Sequence, residues 1–181
     1  MNFALFDTAL GPCGILWGER GIAAVQLPEL NRQATRARLL RQHPAAQEAA
    51  PPAAIAQAIA GIQALLAGDR SVTFSNAPLD TAGLPAFHRR VYAVISRLRP
   101  GETMTYGAIA AELDEGEAGD ARAVGHALGK NPIPVIIPCH RVVAANGKLG
   151  GFSAPGGRET KLKLLAIEGG GAPDNRQPSL F

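Results

Sequence analysis

Ile137-Pro138-Cys139-His140-Arg141-Val142 follows an apolar run made of Ile133, Val135, Ile136 and Ile137. Pro132, Pro134 and Pro138 bound and stiffen that run, which reads as a short buried strand. The thiol is thus delivered at the end of a rigid segment, next to groups that are cationic or accept protons. Such surroundings favour the thiolate, the nucleophilic form of cysteine. A buried structural cysteine is the competing reading, and the flanking Pro, His and Arg weigh against it. Cys13, at a Gly-Pro turn with no histidine or acid pattern around it, reads as structural.

Working outward, residues 85–98 place Phe87, Val91, Val94, Ile95 and Leu98 on one helical stripe, closed by Pro100-Gly101. Thr103 or Thr105 caps a next helix through Tyr106, Ile109, Ala110 and Leu113. A Gly-rich and acidic loop, 114–120, separates it from a helix over 121–130. Two short helices joined by a turn, the second presenting Arg122, resemble a helix-turn-helix. Ala121, Gly125 and Gly129 recur at four-residue spacing on the second helix, a row almost without side-chain bulk. Glycine inside a helix costs roughly 1 kcal/mol against alanine, so either tight helix packing or close approach of DNA explains the row.

The first half is different. Residues 3–6, 15–17 and 22–27 read as three short antiparallel strands, with turns at Gly11-Pro12 and Glu19-Arg20-Gly21. A polar, Arg-rich helix over 31–42 starts at Asn31. A second helix, 53–66, carries Ile55, Ile59, Ile62 and Leu66, and Val72-Thr73-Phe74 is a further candidate strand. The Pro/Gly-containing stretch that follows reads as a linker. The expected division is an N-terminal domain over 1–76, a linker over 77–84, a C-terminal domain over 85–170 and a flexible tail over 171–181.

Composition bounds the class. With 46% hydrophobic and 18% charged residues the 181-residue chain is an ordinary globular sequence. It has no apolar stretch long enough for a bilayer and no signal-peptide layout, so no membrane role and a cytoplasmic location are expected. Two cysteines provide neither a disulfide framework nor a Cys-rich metal site. The first 82 residues carry six Arg and six acids, so the net +3 lies wholly in the half that holds Cys139. That bias suits a polyanionic partner.

Tyr106-Gly107, Ala121-Arg122-Ala123-Val124-Gly125, Asn131-Pro132, Pro138-Cys139-His140-Arg141-Val142, Gly147 and Glu168-Gly169 occur in the order and approximate spacing of the O6-alkylguanine-DNA alkyltransferases. The chain resembles that family strongly over 85–170 and more loosely over 1–80. The resemblance implies an α+β chain. It would pair a small N-terminal sheet-and-helix domain of RNase H-like type with a mostly helical C-terminal domain bearing a helix-turn-helix of the winged-helix type. It also implies a suicide repair protein, a monomer needing no cofactor or metal, that takes an alkyl group from O6 of guanine, and from O4 of thymine, onto its own cysteine.

On that resemblance Cys139 is the acceptor, His140 its base through a water, and Glu168 the group that orients the histidine. Tyr106 assists the target nucleotide and donates a hydrogen bond to the base, and Asn131 braces the turn carrying Cys139. Arg122 enters the duplex through the minor groove and fills the place of the flipped nucleotide, since a base must leave the stack to react. Ala121, Ala123, Gly125, Thr105 and Arg141 are the other expected DNA contacts, and Val142, Phe152 and Ser153 the expected base-pocket wall. Phe152 replaces the tyrosine more usual in the family. The loops 114–120 and 153–157 are slightly longer than usual.

Glu168 also stands out without the family. It closes a helix over about 158–167, where the macrodipole disfavours a carboxylate. The tail ends in Gln177-Pro178-Ser179-Leu180-Phe181, similar to peptides that bind the bacterial sliding clamp, with Gln177, Leu180 and Phe181 as the expected anchors. Two rival activities remain at this level: a non-catalytic protein that binds alkylated DNA, and a cysteine hydrolase using Cys139, His140 and Glu168.

Overall fold

A computed structural model describes residues 1–113 and 120–170. Strands β1 (Asn2–Thr8), β2 (Gly11–Gly18) and β3 (Gly21–Gln26) form the expected antiparallel meander; β1 and β2 are longer than read from the pattern, and β3 is shifted by one residue. The β1–β2 turn is held by Thr8, whose hydroxyl donates to the Gly11 carbonyl at 2.8 Å and accepts from Leu10 N–H at 3.2 Å. Alternation along the strands sends Ile15 and Trp17 to one face and Leu16 to the other.

Helix α1 (Arg32–Gln42) begins where Asn31 Oδ1 accepts from Ala34 N–H at 2.9 Å. It covers the smaller apolar face, with Leu39 against Phe3 and Leu16. Strand β4 (Gln47–Glu48), which is too short and polar to show a period, pairs in parallel with β1, giving the sheet order β3-β2-β1-β4. Helix α2 (Ala53–Leu66) buries Ile55, Ile62, Leu65 and Leu66 under the other face. Val72-Thr73-Phe74 is not a strand. It has no partner edge, and Val72 and Phe74 instead pack their side chains over Gly61 of α2.

The stretch read as a linker is pinned to the sheet. Ile22 N–H donates to the Pro78 carbonyl at 2.7 Å, Asp80 N–H to the Ile22 carbonyl at 2.8 Å, and Arg20 pairs with Asp80. Gly21 permits this approach, because a Cβ there would lie 2.3 Å from the Pro78 oxygen. Further along β3, Val25 N–H donates to the Pro132 carbonyl at 2.9 Å. The apolar core runs without a break from Ile15 and Ile62 to Val91, Ile109, Val124 and Ile137.

In the second half, α3 (Ala86–Ile95), α4 (Tyr106–Glu112) and α5 (Ala121–Gly129) pack together, and the buried Tyr92 hydroxyl ties α3 to α5 by donating to the Ala127 carbonyl at 2.7 Å. Strand β5 (Met104–Thr105) pairs in parallel with β6 (Val142–Val143), fixing the helical motif against the chain that follows Cys139. Helix α6 (Gly157–Ile167) closes the fold. The loop expected over 114–120 lies, except for Asp120, outside the described residues, as does the tail.

The run before Cys139 is a buried turn rather than a strand. Ile137 N–H returns to the Ile133 carbonyl at 2.9 Å, Pro134 bridges Ile137, and Val135 adopts φ 75°. Three prolines remove the donors a ladder needs. A β-branched residue held at positive φ costs about 1–3 kcal/mol, borne here by complete burial of Ile133 and Val135.

Candidate active site

Cys139 opens a single turn of 3-10 helix, Cys139–Arg141, instead of ending a strand. Asn131 sets the preceding turn: its Nδ2 donates to the Ile137 carbonyl at 2.8 Å and its Oδ1 accepts from Ile133 N–H at 3.0 Å. The thiol is only 8% exposed, and burial pushes its pKa up. Hydrogen bonding from Asn131 and the charge of Lys161 oppose that rise. The one cation that lowers it, Lys161, is therefore not adjacent in sequence, and the side chains of His140 and Arg141 turn toward Glu168.

Those three residues form a buried cluster. His140 Nε2 lies 2.8 Å from Glu168 Oε1. Arg141 grips the same carboxylate with two hydrogen bonds of 2.8 Å and donates a third to the Leu98 carbonyl. Burial would raise the Glu168 pKa, but the hydrogen bonds from His140 and Arg141 outweigh it and hold the carboxyl at about 2. Burial, the largest influence, lowers the His140 pKa despite Glu168, so the ring is neutral near pH 7. An ionised carboxylate only accepts, so the proton of a neutral ring sits on Nε2 and Nδ1 carries the lone pair. Nδ1 is buried and has no hydrogen-bond partner in the protein. Arg141, expected at the DNA surface, is a correction: at 5% exposure its guanidinium is spent inside the protein.

Lys161 was invisible to the motif reading and is fully buried. Its ammonium donates to the carbonyls of Val142 and Gly151 and lies 5.9 Å from the centroid of the Tyr106 ring. Burial lowers its pKa to about 8, against the pull of Cys139. One signal existed: Lys161, Leu164, Leu165 and Glu168 follow helical spacing, so two charges share the buried stripe of α6.

Beyond the thiol lies a mostly apolar cavity of about 730 Å³, between α4, α5 and the 144–153 loop. Tyr106 walls it, with its hydroxyl 3.5 Å from the Gly151 carbonyl. Gly150, at φ 73°, leaves room for that ring, since a Cβ would meet the hydroxyl at 2.9 Å. Ala121, Gly125 and Gly129 line the opening, while Val124 and Ala127 on the other side of α5 make the core. The bare row thus borders the cavity, although at Gly125 it also lies against the Tyr106 ring, which an added Cβ would meet at 3.7 Å. Arg122 stands at the rim, its side chain 94% exposed, and Asp120 caps the helix beneath it by accepting from Arg122 N–H at 2.8 Å.

Phe152 and Ser153 line the cavity. Val142 does not. It is fully buried in β6, and its carbonyl anchors Lys161. Thr105 is occupied as the cap of α4, accepting from Ala108 N–H at 3.1 Å, and Ala123 is half-buried beside the row. Gln177, Leu180 and Phe181 lie outside the described residues.

The family model for the DNA-binding domain of 6-O-methylguanine DNA methyltransferase matches residues 86–170. A methylated-DNA–protein-cysteine methyltransferase of Methanothermobacter thermautotrophicus is 34% identical over 86% of this chain and 78% of its own length. The chain belongs to the methylated-DNA–protein-cysteine methyltransferase family. A Mycolicibacterium paratuberculosis member is 44% identical over 65% of this chain and 67% of its own. Among solved structures, Mycobacterium tuberculosis OGT in complex with DNA matches with a TM-score of 0.71 at 32% identity, covering 96% of both chains. The described residues thus share the fold of that protein.

Proposed function

We propose that this chain repairs alkylated duplex DNA by moving an alkyl group from O6 of guanine, and from O4 of thymine, to Cys139 Sγ, once per molecule. The observation that carries the reading is the placement of Cys139: a buried thiol at the base of an apolar cavity, with Arg122 at its mouth and the His140–Glu168 pair behind it.

The resting thiol is protonated, since burial raises its pKa. His140 Nδ1, the free lone pair of a ring locked by Glu168, accepts the thiol proton through a bridging water. Lys161 and Asn131 stabilise the thiolate as it forms. The sulfur attacks the saturated carbon on O6, the C–O6 bond breaks, and the electron pair passes to the base. Tyr106 supplies a hydrogen bond to the departing guanine. A thioether has no ready leaving path, so each molecule reacts once.

The target base is reached by flipping it through the minor groove into the cavity. The bare row of α5 admits the DNA backbone, and Arg122 occupies the gap in the stack. The protein acts as a monomer in the cytoplasm, and Gln177, Leu180 and Phe181 dock on the sliding clamp. Among the described residues no helix is long and apolar enough to cross a membrane.

Intact mass after incubation with a duplex carrying one O6-methylguanine tests the reading. One added methyl group per chain, absent in Cys139→Ala, is the expected result. Tight retention of the duplex without any mass change would leave a damage-binding protein instead.

A further inference from the structure

A second cavity, of about 320 Å³, reaches Cys139 from the side of the N-terminal sheet. Both cavities are lined by Gly129, Cys139, Phe152 and Ser153, so Cys139 borders both. Their chemistry differs. The DNA-facing cavity is mostly apolar, whereas the second presents Gln26, Arg38, Gln42 and His43 from β3, α1 and its C-terminus, and Lys130 from the end of α5. Its charged lining consists of cations, with no carboxylate. Arg38 shares its charge with Glu29 at 3.2 Å, and Lys130 makes no ion pair among the described residues.

Displacement at a saturated carbon needs sulfur and O6 on opposite sides of the carbon, so its remaining substituents leave roughly sideways from that axis. A methyl group needs no further room. A longer chain needs a space beside the thiol that the base does not fill, and the second cavity is such a space. We propose that this cavity receives the distal end of long O6 substituents, and that Arg38 and Lys130 select chains that end in a carboxylate.

The inference rests on the proposed transfer to Cys139. The step is the same one: the Sγ–C bond forms, the C–O6 bond breaks with its electron pair going to the base, and the thiol proton, taken up first by His140, ends on the released guanine. No other reactant is consumed.

The test uses the full chain and duplexes bearing O6-methyl-, O6-(3-carboxypropyl)- or O6-(3-carbamoylpropyl)guanine, with the rate of Cys139 alkylation read by intact mass. The acid is expected to react roughly fivefold faster than its neutral amide, the scale of a partly exposed ion pair, and added salt is expected to shrink that ratio. In Lys130→Gln, and in Lys130→Gln combined with Arg38→Gln, the ratio falls toward one while methyl transfer is unchanged. Equal rates for acid and amide in the wild type, or a ratio that survives both variants, would overturn the inference and leave the methyl reaction standing. No transfer from any of the three duplexes would remove the proposed function itself, and this inference with it.

Discussion

Glu168 ends α6, where unpaired carbonyls and the helix dipole repel a carboxylate. The charge is kept there by Arg141 and His140, and Arg70 reaches across to donate to the Glu168 backbone carbonyl at 3.2 Å. Breaking a buried pair leaves an uncompensated charge and costs about 3–5 kcal/mol. Arg141→Ala should therefore destabilise the protein by that amount, measured by urea denaturation, although Arg141 lines neither of the two cavities beside Cys139. The linkage has a definite sign. The Glu168 carboxyl is held at about 2, below its ordinary 4.5. Its contribution to stability is complete above pH 4.5 and is lost as pH falls toward 2. Glu168→Gln should flatten the acid limb of a stability–pH curve in that window.

Lys161 works in the opposite direction. Its pKa is lowered from 10.5 to about 8, so burying its charge costs stability below pH 8, and the cost is relieved between pH 8 and 10.5. The thiolate of Cys139 gains from that same charge. Lys161→Met should move the alkaline rise of the alkylation rate to higher pH and lower the rate at pH 7.5, read by quenched mass analysis across pH. A purely structural lysine would change stability and leave the position of that rise alone.

At the scale of elements, α5 is asymmetric: Val124 and Ala127 fill the core, while Ala121, Gly125 and Gly129 face the cavity. A Cβ at Gly125 would make ordinary contact with the Tyr106 ring at 3.7 Å, and glycine costs a helix interior about 1 kcal/mol against alanine. Gly125→Ala should raise stability by roughly 0.5–1 kcal/mol and weaken binding to duplex DNA, measured by denaturation and by fluorescence anisotropy. Stability and binding moving in opposite directions is what a row kept bare for a ligand predicts; a gain in both would assign the row to packing. The helices were legible from a 3.6-residue apolar stripe, as in α2 and α3, or from a side-chain cap, as with Asn31 and Thr105. The turn 133–137 was not, because apolar residues interrupted by proline look the same in a buried turn and in a strand. β4 was missed because Gln47–Glu48 owes its extension only to the edge of β1.

For the whole molecule, one apolar core joins both halves, and residues 78–80 act as an added edge to β3. The division at 77–84 remains a proposal about sequence organisation, and it carries an energetic expectation. Thermal unfolding should show a single transition, with calorimetric and van't Hoff enthalpies equal. Two separable transitions would show that the halves are energetically independent.

The sequence alone marked the three-stranded meander, the helices, the mixed architecture, and Cys139, His140 and Glu168 as candidates for the chemistry. Local spacing, capping and an unusual Cys-His-Arg cluster are properties of neighbours along the chain, so they are readable there. Tertiary structure alone decided what surrounds each charge. It turned Arg141 inward to Glu168, brought Lys161 from α6 to Val142 and Tyr106, and opened two cavities that border Cys139. The reason is physical. The state of a buried ionisable group depends on groups within a few ångströms in space, and here those groups lie 19 and 27 positions away along the chain, as with Lys161 to Val142 and Arg141 to Glu168.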